Sequence, residues 1–188
     1  MRVLAATITS ALVLGCATAA SATTAPPATV ALAPVVELSA DRLATAELVA
    51  AAKWHSGEPV EAPEREATVL AEAERSARAL GGDPETALAV MHDQIEANKV
   101  IQRRRHADWY AHPDRSPLPP PPDLADARAD LDRITPALVG ALTDAGTGLA
   151  APGCEAELAR TARRVAAERG LDRPGRTALA VSLSSVCA

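Results

Sequence analysis

Between Asp83 and Trp109 the chain has no glycine and, after Pro84, no proline. That uninterrupted run predicts one long helix, with Asp83 as its N-cap and Pro84 at its first position. Residues spaced alternately by three and four define one face: Leu88, Met91, Ile95, Asn98, Gln102, Arg105 and Trp109. The stripe starts apolar and turns polar midway. Asn98 and Gln102 stand where a core-facing helix would carry leucine, and a buried amide is costly unless it finds partners. Either the helix is one wall of a polar pocket inside a helical core, or it emerges into solvent after Ile95.

The rest of the chain supplies small partners for such a helix. Of 188 residues 48% are hydrophobic, yet there is no phenylalanine and the aromatics are Trp54, Trp109 and Tyr110. A core must therefore be built from leucine, valine, isoleucine and much alanine, which favours close helix packing. The net charge is −5, and so few aromatics leave no stacking platform for single strands. No nucleic-acid partner is expected, and Arg103-Arg104-Arg105 reads as a solvated helix face.

Residues 1–22 read as an export signal. Arg2 precedes an apolar stretch, and Ala17-Thr18-Ala19 and Ala20-Ser21-Ala22 both fit a small-residue cleavage site. The stretch is too short to span a membrane. Val13-Leu14-Gly15-Cys16 also resembles a lipoprotein signal in which Cys16 becomes a lipidated first residue. Ordinary cleavage and secretion is the favoured reading, and either places the mature protein outside the cytoplasm. Residues 23–37 read as a flexible leader and 38–188 as one domain.

Ser39 or Asp41 opens the next predicted helix, which runs to about His55 and is ended by Gly57 and Pro59. Arg42, Ala46, Val49 and Lys53 share one of its faces, with Arg42 and Lys53 about 16 Å apart along the axis. The alternative has Leu43 and Leu48 packing inward and this face wet. A helix from Pro63 to about Leu80 carries the stripe Glu66, Leu70, Ala73, Ala77, Leu80. Ala62 is its N-cap, and a poor one. His112–Pro122 is a polyproline linker. Asp123 caps a further helix with the stripe Leu124, Arg128, Leu131, kinked or restarted at Pro136. Residues 146–153 form a loop, followed by two short helices at about 154–169 and 174–187.

In an antiparallel pair of that kind Cys154, at the start of the first helix, lies beside Cys187, at the end of the second. In an exported protein these make a disulfide. The expected fold is an all-α, single-domain bundle of about six helices with one C-terminal disulfide. No metal-binding, phosphate-binding or nucleophile motif is present, and His55, His92, His106 and His112 read as surface residues. No cofactor and no metal are expected.

The inward-facing polar residues collect as Arg42, Lys53, Arg65, Glu66, Asn98, Gln102 and Arg128. Such a pocket suits a small polyanion, most naturally a dicarboxylate, because guanidinium groups grip carboxylates in bidentate fashion. Without a nucleophile or metal, catalysis there would come from orientation and fixed charge.

At these residues the chain resembles a known family, the secreted chorismate mutases of the all-helical gamma type. The resemblance rests on Asp41-Arg42-Leu43, then Val49-Ala50-Ala51-Ala52-Lys53-Trp54, Pro59-Val60 and Arg65-Glu66. It continues through Asp93 to Lys99 with Gln102 and Trp109, then Pro122-Asp123-Leu124 with Arg128, and the Cys154/Cys187 pair. It spans about 38–187 and implies a cofactor-free rearrangement of chorismate to prephenate. Carried over by motif, Arg42 and Arg128 look like the clamps on the two substrate carboxylates. Lys53 and Gln102 resemble the pair that donates to the ether oxygen, and Arg65, Glu66 and Asn98 the groups around the substrate hydroxyl and the nearby carboxylate. Relatives with glutamate at the Gln102 position need it protonated to donate, so a neutral Gln102 implies a flat activity profile around neutral pH. Many members carry aspartate where Ala62 stands, which leaves the hydroxyl contact to Glu66. The resemblance also brings a homodimer as an expectation. The alternative function is a non-catalytic secreted helical protein that binds a small anionic ligand or a partner.

Overall fold

The structure, a computed structural model, describes residues 32–120 and 123–187. The export signal with Cys16 and the first part of the leader lie outside the described residues.

The long helix is the axis of the fold. Helix α4 (Pro84–Ala111) is packed against by α1 (Ala33–Ala44), α2 (Ala46–Ser56), α3 (Pro63–Leu80) and α7 (Arg173–Ser182). Its start is as expected: the Asp83 carboxylate accepts the backbone N–H groups of Glu85 and Thr86, each at 3.1 Å. Because neighbours lie on several sides, burial is wider than a single stripe. Ala87, Val90, Gln94, Ala97 and Ile101 are buried as well as Met91, Ile95, Gln102 and Trp109. The helix therefore does not emerge into solvent after Ile95. Gln94 is satisfied in the core, its amide donating to Ser39 Oγ at 2.7 Å and to the Ser182 carbonyl at 2.9 Å.

The first helix begins earlier than the cap residues suggest. Ala33–Glu37, assigned to the leader, are helical, and Val35 and Val36 are fully buried against the core. Ser39 is not a cap but an interior residue whose hydroxyl donates to the Val35 carbonyl at 2.8 Å. The single helix expected from there to His55 is broken at Thr45. The Thr45 hydroxyl donates to the Arg42 carbonyl at 2.8 Å, a back-bond that bends helices. That break accounts for a seventh helix among the described residues; the all-helical class stands.

In α3 the buried positions are Val69, Ala73 and Ala77, while Leu70 is half-buried and Leu80 is exposed. The stripe is thus shifted by one residue at its second position. Ala62 caps without a side chain, and Glu66 reaches back instead, its Oε1 accepting the Ala62 N–H at 3.1 Å. The turn into α4 lies hard against α5 (Leu124–Ala145): a Cβ on Gly82 would sit 2.3 Å from Thr143 Oγ1. Helix α5 runs through Pro136 without ending. It buries Ala127, Ile134, Leu138, Val139 and Leu142 rather than the predicted Leu124, Arg128, Leu131 stripe.

The C-terminal hairpin is α6 (Cys154–Glu168) and α7. Cys154 and Cys187 are disulfide-bonded, with Cα atoms 5.8 Å apart and 33 residues of separation. A loop of that size is worth about 3–4 kcal/mol in the chain-entropy account. The double variant Cys154→Ser/Cys187→Ser is therefore expected to lower unfolding stability by about that amount in urea titration. An unchanged midpoint would mean that the hairpin holds without its crosslink.

All three aromatic residues of the chain meet at the far end of α4. Trp54 stands edge-on to Trp109 with centroids 5.5 Å apart and to Tyr110 at 4.7 Å. His106 joins them, with Nε2 2.9 Å from the Ala50 carbonyl, and is half-buried, whereas His55, His92 and His112 are exposed. This cluster fixes the end of α2, and with it the neighbouring Lys53, against α4.

Candidate active site

One end of the bundle holds a polar cavity of about 110 Å³ whose walls come from α1 through α5. Arg42, Lys53, Arg65, Glu66, Asn98 and Gln102 all line it, together with Lys99 and Leu131. Helix α1 brings Arg42, α2 brings Lys53, α3 brings Arg65 and Glu66, and α4 brings the rest of the polar set. The break at Thr45 does not separate Arg42 from Lys53. It is itself held by the site, because the Asn98 amide donates to the Arg42 carbonyl at 3.3 Å and to Thr45 Oγ1 at 3.4 Å.

Arg42 is only 4% exposed. Its Nη1 donates to Thr135 Oγ1 at 2.9 Å, and its Nε is buried without a partner. Burial, followed by the nearby Arg65 charge, pushes the guanidinium pKa down to about 10, with Asp132 opposing. It remains charged at neutral pH. Burying an ion without an opposite charge is costly, so Arg42 is a cation held ready for an anion.

Lys53 is buried, and its Nζ donates to the Val60 carbonyl at 2.7 Å. Burial lowers its ammonium below the usual lysine range, while Glu58, Glu66 and Glu61 pull it back up. Gln102 donates one amide hydrogen to Asn98 Oδ1 at 2.7 Å, and its Oε1 is buried without a partner. Since Asn98 turns its own amide toward Arg42 and Thr45, its oxygen is free for Gln102. The second amide hydrogen of Gln102 remains uncommitted.

Lys99 lines the cavity although the helical stripe leaves it out. It stands one residue beyond Asn98, on the flank of the predicted face. Its Nζ lies 3.0 Å from Glu66 Oε2 and 2.5 Å from Glu96 Oε1. Burial alone would lower its pKa, but the bonds to Glu96 and Glu66 override this and raise it. Glu66 mirrors the effect: burial favours the neutral acid, yet the Ala62 N–H and Lys99 hold its carboxyl below the usual range. Both Glu66 oxygens are therefore engaged.

Arg65 is half-open to solvent and is paired with Asp132 at 2.8 Å. Arg128 departs from the expectation. It is exposed and is not part of the cavity wall, although its charge is felt at Lys53. It shares the α5 face of the cavity-lining Leu131 and the buried Thr135 but stands nearer the start of the helix, where that face is open to solvent. Thr135, the partner of Arg42, is not legible in the sequence, because a threonine beside a proline carries no chemical signature of its own.

A cavity of this kind belongs to a helical protein that binds a small polyanion and acts on it through fixed charges and hydrogen bonds. The comparisons with known proteins agree and are more specific. Residues 33–103 match the family described as chorismate mutase type II. Over 156 residues the chain is 35% identical to the secreted chorismate mutase of Mycobacterium tuberculosis, covering 83% of this chain and 78% of that protein. It is 33% identical to the secreted chorismate mutase of Mycolicibacterium smegmatis, covering 83% and 86%. The crystal structure of chorismate mutase from Burkholderia thailandensis superposes with a TM-score of 0.80 at 39% identity, covering 85% of this chain and all of that one. The chain belongs to the type II chorismate mutases.

Proposed function

We propose that this cavity is where the protein, an exported chorismate mutase, rearranges chorismate to prephenate. The observation that carries the assignment is Arg42: a buried guanidinium with an unpartnered Nε, on a residue that lines the cavity together with Lys53 and Gln102. In the rearrangement the ether C–O bond breaks as a C–C bond forms within one molecule, and no proton is exchanged with the protein. Negative charge grows on the ether oxygen. Lys53 Nζ and the free amide hydrogen of Gln102 donate to it, and these contacts are stronger in the transition state than in the ground state. Arg42 holds one substrate carboxylate and fixes the reactive conformer. Arg128 reaches the second carboxylate from the open start of α5, on the face it shares with Leu131. Asn98, Arg65 and Glu66 surround the substrate hydroxyl and the nearby carboxylate.

Export of the mature protein is supported by the signal-like residues 1–22 and by relatives named as secreted. Two finer readings belong with it as proposals. Lipidation of Cys16 predicts a mature chain that begins at that residue and carries added acyl mass. Self-association predicts a dimeric mass in solution, read by light scattering. Among the described residues, no helix is long and apolar enough to cross a membrane.

The functional reading is tested by following chorismate loss by ultraviolet absorbance with protein from about Thr23 onward. Prephenate formation is the expected result. A folded, disulfide-bonded protein that binds chorismate without turnover would overturn it.

A further inference from the structure

Helix α5 presents Arg128, Leu131, Asp132 and Thr135 at spacings that place them on one helix face. That face sorts the two arginines of α1 and α3 into different states. Asp132 Oδ1 accepts from Arg65 Nη2 at 2.8 Å, so Arg65 is neutralised by a carboxylate at the rim. Thr135 Oγ1 accepts from Arg42 Nη1 at 2.9 Å in the interior, and Thr135 itself is 4% exposed. The Thr135 hydroxyl proton is committed, since Oγ1 donates to the Leu131 carbonyl at 2.7 Å. Its lone pairs are thereby turned toward the guanidinium.

Among the described residues, Thr135 is the side-chain hydrogen-bond partner of Arg42. The chemistry of that partner matters. A carboxylate at this place would orient Arg42 but would also cancel its charge and compete with an incoming anion. A hydroxyl orients the guanidinium and leaves its charge whole for the ligand.

We infer that Thr135 is a positioning residue for the rearrangement: its hydroxyl aims the uncompensated Arg42 guanidinium at the substrate carboxylate. This rests on the reading of Arg42 as a carboxylate clamp. A misaimed clamp weakens binding of substrate and transition state alike, so the loss falls mainly on KM, whereas complete loss of the clamp in Arg42→Ala also frees the reactive conformer and reaches kcat.

The test compares Thr135→Val, which keeps the shape and removes the hydroxyl, with Thr135→Ser, which keeps the hydroxyl, and with Arg42→Ala alone and combined with Thr135→Val. The expected result is a KM for chorismate raised about 10- to 100-fold in Thr135→Val. The kcat changes less, Thr135→Ser stays within about threefold of the parent, and Thr135→Val adds nothing to Arg42→Ala. Equal losses in Val and Ser, or a full additional loss in the Arg42→Ala background, would make Thr135 a packing residue and overturn the inference. Unchanged KM in Thr135→Val while Arg42→Ala is inactive would overturn it too. Parental KM in Arg42→Ala would instead overturn the clamp reading. Should Thr135→Val not fold, Thr135→Ala against Thr135→Ser carries the same comparison.

Discussion

Arg42→Ala is expected to lower kcat/KM by about 10³-fold while leaving the fold as stable as before or more so. The loss of activity follows from removing one partner of a buried, charge-assisted contact with the substrate carboxylate, which costs about 2–5 kcal/mol, together with part of what holds the reactive conformer. The stability result follows from the environment. Burial depresses the guanidinium pKa to about 10, which means that the native state bears the cost of that charge. The substitution removes the cost and leaves only the Thr135 hydroxyl without its donor. Steady-state kinetics and a urea titration on one preparation read both effects. A variant that retains activity, or that loses activity only because it unfolds, would contradict the assignment.

Lys53→Ala has the second large effect, about 10²–10³ in kcat with a smaller change in KM, because a donor to the ether oxygen works chiefly in the transition state. Lys53→Arg is not expected to rescue it. The site holds a point donor anchored on the Val60 carbonyl at 2.7 Å, and a planar fork does not fit that geometry. The pH dependence has a definite sign. Burial lowers the ammonium pKa below 10.5, so the donor loses its proton, and activity falls, as pH rises through that lowered value. Stability moves the other way over the same window. Between the folded pKa and 10.5 the native chain binds fewer protons than the unfolded one, so unfolding free energy rises with pH. An alkaline fall in kcat that persists in Lys53→Ala would assign that limb to another group.

Much of this is legible in the sequence. Asp83-Pro84 marked the start of α4, and the amides Asn98 and Gln102 within its stripe marked the pocket wall. The Cys154/Cys187 pair followed from the hairpin of two short helices. What the sequence hid has physical reasons. Ser39 looks like a helix cap because its hydroxyl is a good one, but here it serves the core beneath Gln94, so the helix begins at Ala33. Thr45 gave no warning of a break, since its effect depends on Asn98 meeting it from α4, 53 residues away. Lys99 lies on the flank of the chosen face and was drawn inward by Glu66 and Glu96. Periodicity puts Arg128 on the α5 face of Leu131 and Thr135, but it stands near the start of the helix, where that face is open, and the arginine stays exposed. Thr135 emerged only with the geometry, because a positioning hydroxyl has no spacing rule.

The central claim is that catalysis here is proton-free, with a neutral amide and a fixed ammonium meeting the ether oxygen. The most direct measurement is kcat against pH for the parent and for Gln102→Glu. A flat parent profile from about pH 6 to 8 is expected, because Gln102 does not titrate and the rearrangement exchanges no proton with the protein. In Gln102→Glu activity is expected to rise toward acid pH, where the carboxyl gains the proton it needs to donate. A parent profile with a sharp acid optimum, or a Gln102→Glu profile that matches the parent, would contradict it.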